Sequence, residues 1–205
     1  LAEASTWPDF MRSDPSEFWQ RTANPWHYVT VPEGKNYQQV GAPAQGDAYT
    51  ALQGFSADLR TPETPPQDRA LALRFIVHII ADLHQPLHVG NGTDRGGNDT
   101  RVTYFGRPTN LHRVWDSQLV DSEQLSYSEW IEWLDSKITR EDFLAWRNPS
   151  PLVWIAESAE LRSRLYPDEP DLGWDYRYRW SSALRLRISQ AGVRTAVYLN
   201  ELFAD

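Results

Sequence analysis

The chain has 205 residues, 40% of them hydrophobic, and a formal charge of -8. This is enough apolar material for one sizeable core, so a disordered chain is excluded. The negative balance argues against a surface that grips nucleic acid by neutralising phosphates all over, but not against a nucleic-acid enzyme whose acidic residues carry metal. There are no cysteines, which excludes disulfides, thiolate metal sites and cysteine nucleophiles.

In chain order the pattern is mostly helical. Residues 47–60 carry helical apolar spacing with Asp47 as N-cap. TPETPPQD, residues 61–68, reads as a loop. DRALALRFIVHIIADLH, residues 68–84, is apolar nearly all round, which predicts a buried central helix stopped by Pro86. GNGTDRGGND is a glycine-rich loop. TRVTYF followed by GRPTN predicts a short β-hairpin. NLHRVWDSQLV reads as a helix capped by Asn110. Ser126 and Glu129 form a capping box before the next helix, and Pro151 opens another in a first-turn position. Residues 175–203 read as one long helix or two, with Gly192 the weak point. No repeat divides the chain, so one domain over residues 1–205 is expected. No apolar run reaches the roughly 18 residues that span a bilayer. The ten tryptophans are expected to be mostly core.

Three of the five histidines fall within HIIADLHQPLH, residues 78–88. His78 and Asp82, four apart on a helix, project from one face. His112 and Asp116 repeat that HxxxD spacing, and His88 follows Pro86. A single buried histidine is usually a satisfied core residue, and one HxxxD pair is often a surface ion pair. Asp82 and Asp116, however, have apolar neighbours, and a buried carboxylate is costly unless paired or metal-bound. Two such pairs with His88 favour a metal site. Imidazole and carboxylate without thiolate suit zinc, with manganese or iron as alternatives. Bridging carboxylates suggest more than one ion, and a pair about 3.5–4 Å apart suits phosphoester hydrolysis.

The motifs STWPDFMR, PWHYVTVP, HIIADLHQPLH, RGGND and NLHRVWD, in this order, resemble the zinc-dependent S1/P1 nuclease family over essentially the whole chain. The resemblance implies a mainly α, single-domain fold of the S1/P1 nuclease and zinc phospholipase C type. It implies hydrolysis of single-stranded DNA and RNA to 5'-nucleotides by a metal-activated hydroxide, with 3'-nucleotidase activity. One zinc would be held by Asp9, His27, His78 and Asp82, another by His88, His112 and Asp116. Asp82 would also reach a third zinc. His84 is left for the surroundings of the ligands or for the core. Arg12 matches the family's active-site basic residue, so Arg12 and Asp82 are the expected catalytic pair. Tyr28 matches an aromatic that stacks on the base, with Thr30 where the family often has an aspartate. Asn98 is expected near the cleft.

The family begins with a tryptophan and a nearby histidine that complete the third zinc site. Neither stands upstream of Asp9, so the family's first helix is expected to be missing from this chain. The substrate partners implied are single-stranded nucleic acid and nucleotides, with no membrane and no obligate protein partner. A secreted or periplasmic monomer of bacterial type is expected. Two other readings are a zinc phospholipase C acting on lipid head groups and a zinc-stabilised binding domain without turnover.

Overall fold

The computed structural model describes residues 2–204. The described residues form ten α-helices and five short strands. Helix α1, Ala2–Met11, leads into a π-helical turn at Phe18–Thr22 and a 3-10 turn at Asn24–His27. Strand β1, Val29–Thr30, and the short α2, Tyr37–Val40, precede α3, Ala48–Arg60. Asp47 caps α3 as predicted: its carboxylate accepts from Thr50 N–H while the Thr50 hydroxyl accepts from Asp47 N–H.

Helix α4, Pro66–Asp82, is the buried central rod. Ala72, Phe75, Ile76, Ile79 and Ile80 are fully buried along it, each removing roughly 1.5–3 kcal/mol of apolar surface from water for the larger side chains. Its limits differ from the predicted 68–84. The helix starts at Pro66, because a proline at the first position gives up only an N–H that has no helical partner. It ends at Asp82, two residues early. Gln85 is extended at φ -79°, ψ 115°, since Pro86 disfavours the α conformation before it, and His84 N–H and Gln85 N–H turn back to the carbonyls three residues earlier.

A 3-10 turn, Pro86–His88, runs into β2, Val89–Gly90. Strand β2 pairs in parallel with β1, Val29 opposite Val89, a pairing the sequence did not suggest. The predicted hairpin is β3, Arg101–Tyr104, with β4, Arg107–Asn110. Its two turn residues, Phe105 and Gly106, both have positive φ, as a type I′ turn requires. Strand β5, Asp171–Leu172, adds to β3 in parallel.

After Asn110, whose side chain caps as predicted, the expected helix is broken into α5, Leu111–Arg113, a π-helical turn at Val114–Gln118, and α6, Leu119–Asp121. Helices α7, Tyr127–Asp135, and α8, Arg140–Trp146, follow; α7 has the Ser126–Glu129 capping box and α8 an unpredicted Thr139–Asp142 one. Helix α9, Pro151–Leu165, opens on its proline. Helix α10, Trp174–Leu202, is continuous through Gly192.

Two apolar clusters form the core. One gathers around α3 and α4, with Phe75 stacked on Phe55 and on Trp19. The other joins the 111–119 segment to α9 and α10 through Leu111, Trp115, Leu165 and Leu184. Trp19, Trp115, Trp130 and Trp154 are buried, and Trp7, Trp26, Trp133 and Trp180 pack half-buried against the two clusters, while Trp174 is 70% exposed. The tryptophan prediction therefore holds for most of the ten. No described helix is long and apolar enough to cross a membrane.

Candidate metal centre

Four ligand atoms converge at the C-terminal end of α4. His78 Nε2 lies 2.9 Å from Asp82 Oδ2, one helical turn on. The 3-10 turn before β1 delivers His27, whose Nδ1 is 2.7 Å from His78 Nε2 and 3.3 Å from Asp82 Oδ2. Helix α1 delivers Asp9, with Oδ1 3.5 Å from His27 Nδ1. Asp9, His27 and His78 alone can present ligand atoms mutually within 4.8 Å.

A second group forms where the Pro86–His88 turn meets the 111–118 segment. His112 Nε2 is 3.0 Å from Asp116 Oδ2, and His88 Nε2 is 3.2 Å from Asp116 Oδ1. The imidazoles of His88 and His112 are stacked, 5.0 Å between centroids. The π-helical turn that interrupts this segment carries Asp116, a placement that π-bulges commonly serve. Asp82 spans the two groups: its Oδ1 is 3.2 Å from His88 Nδ1, while its Oδ2 faces His27 and His78.

Backbone carbonyls set the tautomers. A carbonyl only accepts, so His78 Nδ1–H donates to Ser5 O at 2.6 Å and His112 Nδ1–H to Gly96 O at 2.8 Å. His88 Nδ1 is 3.0 Å from His27 O. The Nε2 lone pairs of all three are thereby turned inward, as hydrogen bonds to the outer nitrogen of metal-ligating histidines do. The β1–β2 pairing makes the His88 contact possible, because it sets His27 beside His88.

This donor set fits a cation. Asp82 Oδ2 is buried without a hydrogen-bond partner among the described residues, yet it faces the His78 nitrogen whose lone pair points at it. Ligand atoms bound at 2.0–2.2 Å around a tetrahedral ion stand roughly 3.3–3.6 Å apart; the separations in both groups, 2.7 to 3.5 Å, reach that span or fall just short of it. Without a cation, protons fill that role. Burial disfavours charge on His78, but Asp82 outweighs it and pushes the imidazole up to about 9. Burial likewise opposes and the neighbouring carboxylates outweigh at His88, which is raised well above the usual histidine range. Asp82 and Asp116 are held well below the usual carboxylate range by the histidines, against the effect of burial.

Asp9, His78, Asp82, His88 and Asp116 line a cleft of about 350 Å³. A larger cavity, about 510 Å³ beside α2 and α9, contains none of these histidines. Arg12 lies at the edge of the first group, its Nη1 3.5 Å from Asp9 Oδ1 and its Nη2 donating to Asn24 Oδ1 at 3.3 Å. Tyr28 is 44% exposed next to the buried His27. Asn98 bonds within its own turn, donating to Arg95 O, and is not among the residues lining the cleft. The RGGN segment instead acts through Gly96 and Gly97, whose carbonyls receive His112 Nδ1–H and His112 N–H. His84 turns away from both groups and donates from Nδ1 to Ile80 O.

Gln85 was not singled out from the sequence, although it stands inside the histidine motif. It donates from Nε2 to Asp116 Oδ1 at 2.6 Å, while its Oε1 accepts Leu87 N–H. Such a contact between positions 31 residues apart leaves no local signal.

A mainly helical domain with two histidine–carboxylate groups side by side, linked by the contact of Asp82 with His88 Nδ1, has the make-up of a multinuclear metallohydrolase. The S1/P1 Nuclease family profile matches residues 1–204. The chain is similar to Endonuclease 4 of Arabidopsis thaliana, 30% identical over 243 residues that cover 100% of this chain and 78% of the relative. It is 30% identical to Nuclease S1 of Aspergillus oryzae over 232 residues, 98% of this chain and 78% of the relative. Endonuclease 3 of Arabidopsis thaliana is 28% identical over 236 residues, 100% of this chain and 77% of the relative. The chain belongs to the S1/P1 nuclease family, and it is a nuclease, a phosphodiesterase acting on nucleic acid.

Proposed function

We propose that this chain is a zinc endonuclease that cleaves single-stranded DNA and RNA to 5'-nucleotides and removes 3'-phosphates from mononucleotides. The observation that carries this reading is Asp82, set between the two histidine–carboxylate groups with one oxygen toward each. Asp9, His27, His78 and Asp82 would hold one zinc, and His88, His112 and Asp116 a second. Zinc bound there supplies a Lewis acid for the phosphate oxygens and lowers the pKa of a water toward about 7.

The chain's own residues do the rest. Arg12, held beside Asp9 at the rim, is placed to take up the charge that develops on the phosphate. Tyr28, exposed beside His27, offers a stacking face to a base that is free of a duplex. Asn98, which donates to Arg95 O in the loop that holds His112, is the further substrate contact this reading expects. Asp116 is kept in register by Gln85. A monomer acting outside the cytoplasm, secreted or periplasmic, is the setting this reading carries with it.

The test is elemental analysis of the dialysed chain together with cleavage assays. About two zinc per chain, with single-stranded DNA and RNA cut faster than duplex and 3'-AMP dephosphorylated, is the expected result. Zinc-bound protein that is inert on all three substrates would remove the reading.

A further inference from the structure

We infer that Arg187 and Arg194 of α10 are positioning residues of the metal centre, acting through His84 on the turn that separates Asp82 from His88. The inference rests on the metal-centre reading above and extends it to residues that touch neither ligand group.

His84 is gripped twice. Its carbonyl accepts from Arg187 Nε at 3.1 Å, and its ring Nε2 lies 3.0 Å from Arg194 Nη1. Because Nδ1–H already donates to Ile80 O, Nε2 carries the lone pair and accepts from the guanidinium, which can only donate. The ring is thereby fixed as a neutral acceptor, held against α10 rather than pointed at the ligand groups. Both arginines are buried, at 5% and 1% exposed. They share one carboxylate: Glu157 Oε2 is 2.6 Å from Arg187 Nη1 and 2.5 Å from Arg194 Nη1, and Oε1 is 2.7 Å from Arg194 Nη2.

Helix α4 ends at Asp82, so the carbonyls just beyond it need donors from elsewhere. Ser158 Oγ–H donates to Leu83 O at 2.6 Å and Arg187 to His84 O. Arg187 Nη2 also donates to Ser158 Oγ at 2.7 Å, which ties the two supports together. Two buried guanidiniums on one carboxylate are an expensive way to stabilise a fold, since an apolar replacement commonly does as well. What the network does supply is directional bonding at successive atoms of the turn. On one side of that turn stands Asp82, on the other His88, and their 3.2 Å contact sets how the two ligand groups lie relative to each other.

The experiment uses the whole chain loaded with zinc and titrated with a competing chelator, with metal release and thermal unfolding of the metal-free chain read in parallel. Arg194→Met is expected to weaken zinc binding about 10-fold, the lower end of what losing a direct hydrogen-bond partner of a ligand costs, because it acts one residue further out. Arg194→Lys keeps a charge by Glu157 but lacks the fork that spans Glu157 and His84, and is expected to fall between. Ser56→Ala, which removes the half-buried Ser56–Tyr198 contact and none of the hydrogen bonds to His84, is expected to lower the melting temperature and leave zinc affinity unchanged. In the unaltered chain, the 15N spectrum of His84 should show the proton on Nδ1 and none on Nε2. Zinc held equally tightly in folded Arg194→Met or Arg194→Lys, equal loss in Ser56→Ala, or a proton on His84 Nε2 would each overturn the inference. Failure of the unaltered chain to bind zinc would overturn the metal centre itself.

Discussion

Asp82 Oδ1 and His88 Nδ1 lie 3.2 Å apart although a tight turn and a proline separate them in the chain. The contact joins the two ligand groups into one centre: Asp82 Oδ2 belongs with His27 and His78, while His88 Nε2 belongs with His112 and Asp116.

Asp82→Asn should therefore damage both groups. The amide nitrogen presents a donor where two lone pairs converge. Zinc content after dialysis should fall below half that of the unaltered chain, and nuclease activity should fall by on the order of 100-fold or more, beyond the 10- to 100-fold typical of losing a hydrogen-bond partner of a ligand. Activity near that of the unaltered chain would remove Asp82 from the centre.

The pH dependence of the metal-free chain has a definite sign. His78 rises from 6.5 to about 9 on folding, with burial opposing and Asp82 driving the shift. Its contribution to stability is complete below about 6.5 and is lost as pH rises through about 9. The metal-free melting temperature should fall over that interval. Zinc replaces the proton, so zinc affinity should rise over the same interval. Melting curves and chelator titrations at pH 6, 7.5 and 9 check both trends; a metal-free melting temperature that climbs across them would contradict the His78–Asp82 pairing.

Gly96→Ala should be damaging out of proportion to its size. Gly96 has φ +62°, and a Cβ there would run into the Leu87 carbonyl oxygen. Strain of about 1–3 kcal/mol is expected from the backbone alone. The Gly96 carbonyl also holds His112 Nδ1–H, so the second zinc should be released first. Gly34→Ala, also at positive φ but in open space, serves as the comparison, and should keep both metals.

Tyr28→Ala should raise KM for single-stranded substrate while leaving zinc content intact. Base–aromatic stacking contributes about 1–3 kcal/mol per base, which corresponds to roughly 5- to 150-fold in KM. Tyr28→Phe should retain most of the affinity. An unchanged KM in Tyr28→Ala would mean the base is held elsewhere.

Some of this molecule could be read directly from residue order. The Asp47, Ser126 and Asn110 caps, the Phe105–Gly106 turn and the apolar rod of α4 rest on interactions within a few residues, and these are visible in any window of sequence. The two HxxxD pairs are of the same kind, because helical pitch alone brings His78 to Asp82 and His112 to Asp116. Less local features differ from the expectation. Helix α4 stops at Asp82, ahead of Pro86, and a π-helical turn carries Asp116, whose partners Gln85 and His88 come from another segment.

By itself, then, the sequence determined the ligand types, their pairing along helices and, through its ordered motifs, the family. The tertiary structure decided how the pairs combine. Strand β2 beside β1 brings His27 to His88, Ser5 and Gly96 choose which nitrogen His78 and His112 turn inward, Gln85 reaches Asp116, and the arginines of α10 grip His84. The physical reason is one of range: helical pitch and capping act over three or four residues, whereas the burial that makes these long-range hydrogen bonds strong exists only once the two core clusters have closed around the centre.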